Sequence, residues 1–208
     1  MSATNDILIA VPTFESIEPE VFKAIYDLNV PHGHSVDFTY VKGYDCARAR
    51  NEIAKLAIEE DYNYILMVDS DTVIPPHTLE MFFDQEPPEV LLGIYPRKNL
   101  HRKAEIFSMS ADRFSTANLY GYNELEQMRD LHGARRVQVR GGGLGCALIR
   151  TDVFKKILMP YFLYVCYPNG NVLSEDLYFC GKVTDAGGSI FVDTRVWCGH
   201  VAKTTKYE

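Results

Sequence analysis

The apolar positions of this chain change their period from one segment to the next. Ile7 to Val11 form a short continuous apolar run, stopped by Pro12-Thr13. Such a run bounded by a turn predicts a strand buried on both faces of a parallel sheet. Val21, Ala24, Ile25 and Leu28 then recur at helical spacing. Val36 to Val41 is the second predicted strand. From Asp45 a helix follows, with Cys46, Ala49, Ile53 and Leu56 on one face. Asn63 to Val68 is the third strand and ends in Asp69-Ser70-Asp71; Leu79, Phe82 and Phe83 predict a short helix before a strand over Val90 to Ile94. This alternation predicts an α/β fold, a mostly parallel central sheet with helices on both faces. Ligands bind such sheets beyond the carboxyl ends of the strands. Pro12-Thr13-Phe14-Glu15 and Asp69-Ser70-Asp71 each follow a strand, so both fall at one edge and make a site.

From Asn99 to Arg140 the pattern weakens, with many charges and several tyrosines. This reads as long loops plus a hairpin, and loops of that length in a compact domain serve as lids or acceptor-binding segments. Gly141 to Ile149 is a glycine-rich approach to an apolar strand. Thr151 is placed to cap a short helix through Val153 and Ile157. Ser174-Glu175-Asp176 opens another helix, which Gly187-Gly188 ends. Ile190 to Val192 and Arg195 to Cys198 predict closing strands. With no internal repeat and no linker, one domain is expected over 1–208, its two halves meeting near residue 98.

Composition narrows the function classes. The 208 residues can bury one full core, and 47% hydrophobic with 24% charged residues excludes a disordered chain. A net charge of −7 argues against nucleic-acid binding, which needs a basic stripe. Arg48, Arg50, Arg97, Lys98, Arg102 and Lys103 still suffice to grip one small phosphorylated ligand. Cys46, Cys146, Cys166, Cys180 and Cys198 are scattered and odd in number, with no CxxC pair. That speaks against a zinc site and a disulfide framework, and for a reducing compartment. The first residues do not form a signal peptide, and no apolar run approaches the roughly 18 residues of a membrane helix. A soluble, cytoplasmic protein is expected.

Asp69-Ser70-Asp71 carries the sharpest chemistry. Two carboxylates one residue apart at a strand end can hold a hard divalent cation and a ribose together, with phosphate oxygens and water completing the shell. A solvated turn with a helix cap would account for the triplet alone, but a turn needs only one such residue after the buried run Ile65 to Val68. His200, at the end of a late strand, can add an imidazole ligand, although a lone histidine there is more often structural. Glu175 and Asp176 stand in the first turn of a helix, where the helix dipole by itself favours acids.

Together these segments resemble the glycosyltransferases of the glycosyltransferase-A fold, in particular the family 2-like enzymes. Val11 to Glu15 resembles the first nucleotide loop, Ala49-Arg50-Asn51 a second-helix motif, and Asp69-Ser70-Asp71, followed by Pro75-Pro76, the DxD motif. Gly142 to Arg150 resembles the glycine-rich strand beneath the acceptor, Ser174 to Leu177 the ED motif, and Cys198-Gly199-His200 the late metal histidine. The ordered set spans positions 11 to 200. The resemblance implies a single-domain glycosyltransferase, with a nucleotide-binding half over about 1–98 and an acceptor-side half over about 99–208. It implies a UDP- or GDP-sugar donor, an acceptor hydroxyl that the sequence leaves unidentified, and Mn2+ or Mg2+. Pro12, Thr13 and Glu15 would line the base and ribose pocket, with Ser70 beside them. Arg48 or Arg50 would sit near the base or phosphates. Asp69 would reach ribose or metal, Asp71 and His200 would hold the metal, and Asp176 would be the general base of an inverting transfer. Phe14 stands where tyrosine is frequent in the family, and Glu15 comes one residue early.

Other readings are a retaining glycosyltransferase on the same fold, in which Asp176 has another role, and a nucleotide-sugar-binding module without catalysis. A sugar-phosphate nucleotidyltransferase fits less well, because Pro12 to Ser16 holds no glycine and no basic residue for its phosphate loop.

Overall fold

The computed structural model describes residues 6–96, 103–109, 118–130 and 133–201. Its strands are β1 (Ile7–Thr13), β2 (Val36–Lys42), β3 (Tyr64–Val68), β4 (Thr72–Val73), β5 (Val90–Ile94), β6 (Lys103–Phe107), β7 (Leu119–Gly121), β8 (Arg136–Gln138), β9 (Gly141–Gly142), β10 (Cys146–Arg150), β11 (Val165–Cys166), β12 (Val172–Leu173), β13 (Ile190–Trp197) and β14 (Gly199–His200). Its helices are α1 (Pro19–Tyr26), α2 (Cys46–Glu59), α3 (Thr78–Phe82), α4 (Tyr122–Asp130) and α5 (Glu175–Asp185), with a 3-10 turn over Thr151–Lys155.

Seven strands form the central sheet in the order β2-β1-β3-β10-β5-β13-β8. β2, β1 and β3 run parallel, as do β5 and β13, while β10 runs antiparallel between β3 and β5 and β8 antiparallel beside β13. The continuous apolar runs follow from burial on both faces. Leu8, Ala10, Ile65, Met67 and Leu92 pack with Ile53 and Ala54 of α2, Leu125 of α4 and Phe179 and Val183 of α5. Ile7, Ile9, Val11, Leu66 and Leu91 pack on the other face, with Val21 and Ile25 of α1 and Leu79 and Phe82 of α3. Each fully buried side chain of this kind contributes about 1.5–3 kcal/mol. The expected mostly parallel sheet with helices on both faces is therefore observed.

Three details differ from the sequence reading. Thr151 is not a cap: the 3-10 turn starts after Arg150 without a side-chain cap, and the buried Thr151 hydroxyl has no hydrogen-bond partner. The two expected closing strands are one, because the polar pair Asp193-Thr194 is fully buried within β13 and satisfied there. The stretch from Asn99 to Arg140 contains β6, β7, α4 and β8 among its described residues, pieces of three to nine residues that are too short to register as a period. Arg97, Lys98 and Arg102 of the expected basic cluster lie outside the described residues, and Lys103 begins β6. All five cysteines are free thiols, and no described helix is long and apolar enough to cross a membrane.

Candidate active site at the carboxyl ends of the strands

A cleft of about 470 Å3 opens beyond the carboxyl ends of β1 and β3, lined by residues of at least five segments. Pro12 and Thr13 end β1 and Phe14 follows it, Tyr44 to Cys46 lead into α2, and Asp69, Ser70 and Asp71 follow β3. Tyr95, Glu105, Asp176 and His200 close the far side. Of the residues singled out in the sequence, Pro12, Thr13, Asp69, Ser70, Asp71, Asp176 and His200 thus meet in one cleft.

Glycine makes this meeting sterically possible. The run after β9 passes over the buried ring of Tyr95, whose hydroxyl accepts the Gly145 amide at 3.3 Å. A Cβ at Gly143 would stand 1.8 Å from the Tyr95 hydroxyl, and one at Gly145 would stand 3.1 Å from Asp69 Oδ2. The Asp69 amide donates to the Gly145 carbonyl at 3.1 Å. The glycine-rich strand is thereby tied to the Asp69 turn. Burial, then Asp69 and Asp176, hold the Tyr95 hydroxyl well above its ordinary pKa.

A two-stranded ribbon joins the second acid to the histidine. β14 pairs antiparallel with β4, setting His200 opposite Thr72, and the Val201 amide donates to the Asp71 carbonyl at 2.8 Å. His200 Nε2 lies 3.3 Å from Asp71 Oδ1, and Nδ1 is 3.0 Å from the Pro96 carbonyl. A carbonyl only accepts, so Nδ1 carries a hydrogen and Nε2 is turned toward the carboxylate. A backbone carbonyl that fixes the ring is also the usual outer partner of a ligating histidine. Among the described residues, no group of three His, Cys, Asp or Glu side chains is arranged around one point.

The third expected ligand, Asp69, lines the same cleft and also reaches beneath it. Its Oδ1 accepts from Arg50 Nη2 at 2.8 Å, while Arg50 Nη1 donates to Glu175 Oε1 at 2.6 Å. Arg50 is 2% exposed and lies beneath the cleft instead of lining it. Burial opposes its charge, but Asp69, Cys46, Glu175 and Asp176 outweigh that and hold its pKa well above the ordinary value. Arg50 is therefore not placed to meet a donor directly, as the sequence suggested; it links the DxD turn to the start of α5. The neighbouring Asn51 has a similar anchoring role, holding the Tyr161 and Phe162 backbone.

Arg48 is exposed, its guanidinium 4.0 Å over the Tyr44 ring, and Glu15 is exposed as well; neither lines the cleft. Asp176 does, half-buried, accepting from the Ser174 hydroxyl and from the Leu177 amide at 2.7 Å. Burial raises its pKa, with Arg50 pulling the other way and Glu175 adding to the rise. The helix start alone would favour the ionised acid, and desolvation works against it. Cys46, Tyr44 and Tyr95 were not identified from sequence as site residues, whereas Glu175 was noted as the first acid of the ED motif.

No family model matches the sequence, and no curated protein matches it. Solved structures do. A197 from STIV aligns over 95% of this chain and 86% of its own, at 18% identity and a TM-score of 0.63. GalNAc-T7, solved with UDP, GalNAc and Mn2+, aligns over 100% of this chain and 46% of its own, at 11% identity and a TM-score of 0.57. The fold is glycosyltransferase-A-like. At these identities the likeness concerns the fold, and the activity has to be argued from the cleft of this glycosyltransferase-A-like chain.

Proposed function

We propose that this protein is a metal-dependent glycosyltransferase. It moves a sugar from a UDP- or GDP-sugar to an acceptor hydroxyl with inversion at the anomeric carbon. The observation that carries the proposal is that Asp71 with His200, and the desolvated Asp176, line one cleft beyond the carboxyl ends of the strands. Asp71 Oδ1 and His200 Nε2 would hold Mn2+ or Mg2+, a hard or borderline ion that suits one carboxylate and one imidazole. Such an ion, when bound, supplies Lewis-acid stabilisation of the departing diphosphate.

The chain's own residues do the rest. Pro12, Thr13 and the Phe14 and Tyr44 rings form the wall for the base and ribose, and Arg48 stiffens Tyr44 from outside. Asp69 and Ser70 face the ribose and diphosphate. Asp176 takes the proton from the acceptor hydroxyl as that oxygen attacks the anomeric carbon and the bond to the diphosphate oxygen breaks. Its raised pKa makes it a stronger base than an exposed aspartate.

Calorimetry with UDP and GDP, in Mn2+ and in EDTA, tests the donor reading. Binding is expected in Mn2+ and should be lost in EDTA. In Asp71→Asn and His200→Ala it should weaken by about tenfold to a hundredfold, on the scale of perturbed metal sites. Equal affinity in both buffers would remove the metal, and no binding of either nucleotide would remove the donor.

A further inference from the structure

Among the side chains that line the cleft, Tyr95 is 7% exposed and fixed from several sides. Its carbonyl accepts the Glu105 amide of β6 at 3.4 Å, and the Ile94 carbonyl before it accepts the Cys198 amide at 2.7 Å. Its ring stands edge-on to His200, with centroids 5.9 Å apart. Its hydroxyl oxygen accepts the Gly145 amide. The side chain is therefore held as rigidly as the sheet that carries it.

One hydrogen-bonding capacity is left over. A tyrosine hydroxyl both accepts and donates. Accepting the Gly145 amide uses its oxygen, while among the described residues no acceptor takes its proton. Asp69 shows the complementary lack: Oδ1 accepts from Arg50, and Oδ2 accepts nothing from the described residues. Both groups stand beside the same glycine. The Cβ position of Gly145 is 3.1 Å from Asp69 Oδ2 and 3.1 Å from Tyr95 Cζ. It is 2.9 Å from the fully buried Thr72 hydroxyl, which also has no partner among the described residues. An unused donor and an unused acceptor at the floor of a cleft are unfavourable, and a bound group that joins them removes the penalty.

The chemistry of that group follows from its two neighbours. It has to accept from Tyr95 and donate to Asp69, and a hydroxyl does both. A phosphate oxygen only accepts, and would set its own charge against the Asp69 carboxylate. A metal cation accepts no hydrogen bond from a phenol. Position narrows the choice further. In the transfer reaction proposed above, Asp71 and His200 mark the diphosphate and Asp176 marks the attacking oxygen. Burial first, then Asp69 and Asp176, keep the Tyr95 hydroxyl protonated, so it lies near both acids. Between those two acids the transferred sugar has to lie.

We propose that Tyr95 is a specificity-determining residue: its hydroxyl donates to one hydroxyl of the transferred sugar, which in turn donates to Asp69 Oδ2. This rests on the donor reading and adds to it a residue that reads the sugar and not the nucleotide. Such a pair discriminates strongly, because a donor that lacks the hydroxyl leaves both protein groups unpaired.

The test is calorimetry in Mn2+ of wild type and Tyr95→Phe, with UDP, GDP and a panel of UDP- and GDP-hexoses. For the nucleotide sugar that wild type binds most tightly, Tyr95→Phe should weaken binding by about threefold to tenfold, the scale of one neutral hydrogen bond. Affinity for the bare nucleotide should stay at the wild-type value. Phenylalanine keeps the ring against His200, and a general loosening of the site would weaken both ligands alike, so it cannot produce this split. Monodeoxy forms of the sugar supply a second arm. The form that lacks the recognised hydroxyl should bind wild type more weakly, and Tyr95→Phe should add no further loss. Equal loss on the bare nucleotide and the nucleotide sugar overturns the proposal, as a ribose hydroxyl or a loosened site would produce. No loss on either overturns it in favour of a fixed water only. A wild type that binds no nucleotide removes the donor reading and this proposal together. Intact nucleotide binding with an unaltered sugar preference in Tyr95→Phe removes this proposal alone.

Discussion

Asp176 stands beyond the carboxyl ends of the parallel strands, and Glu89 stands at their other end, just before β5. Glu89 is hydrogen-bonded by the Ser189 hydroxyl at 2.7 Å and the Ser189 amide at 3.3 Å, with Lys156 at 3.4 Å. Ser189 first, with Lys156 also contributing, lowers its pKa to about 2 against the opposing effect of burial. Asp176 accepts two local hydrogen bonds, yet burial prevails and its pKa rises. One end of the sheet surrounds its carboxylate with donors, and at the other burial outweighs the donors. The hollows do not rank the two ends the same way, since the larger one, about 680 Å3, lies at the Glu89 end among Asp6, His34, Asn63, Arg150 and Thr151. Chemistry, and not volume, selects the site. A carboxylate that stabilises the fold and the carboxylate proposed to react need opposite surroundings, and this sheet separates them by its length.

The largest expected effect tests the reactive end. Asp176→Asn should lower single-turnover transfer by about a hundredfold to ten-thousandfold with nucleotide affinity nearly unchanged, as loss of a general base does. The wild-type rate should rise with pH across a range displaced above that of an exposed aspartate. Near-normal turnover in the variant would end the inverting reading, and Glu175 or a retaining route would replace it.

Next comes the link beneath the site. Arg50→Met leaves Asp69 and Glu175 facing each other with no cation, and should cost about 3–5 kcal/mol in urea unfolding. The partial exposure of Asp69 puts the loss toward the lower figure. Arg50→Lys keeps a charge but not the two-way fork, and should fall between. A stable Arg50→Met protein would mean that packing alone holds α5 to the DxD turn.

At the stabilising end, Glu89→Gln should cost about 1–3 kcal/mol at neutral pH. The sign follows from the lowered folded pKa: the contribution is present above the unfolded value and is lost as pH falls toward about 2. Urea midpoints of wild type and variant should therefore converge as the buffer is acidified through that range. A constant gap would show that shape, and not charge, is responsible.

The smallest effect sharpens the contrast most. Because folding raises the Asp176 pKa, its ionised form destabilises the fold at neutral pH, and Asp176→Asn should leave Tm unchanged or raise it by about 1–3 °C. A clear fall in Tm would place Asp176 with Glu89, among the carboxylates that hold the fold together.

The sequence by itself determined the strands of the parallel half, the two polar turns that follow β1 and β3, and the shared edge on which they lie. These are local properties: a run of apolar residues has one way to be buried, and a sheet rule converts strand ends into a site. It also indicated Asp69, Asp71, Asp176 and His200 as a set, because their order along the chain resembled a known fold. Only the tertiary structure decided what Arg50 does. Read along the chain, an arginine beside Arg48 looks like a phosphate ligand, but its partners are 19 and 125 residues away. The same holds for Asp193, fully buried because Arg195 of its own strand and Arg136 of β8 reach its carboxylate. Whether a charge faces a ligand or closes a buried pair depends on what lies across the core, and periodicity along one segment carries no information about that.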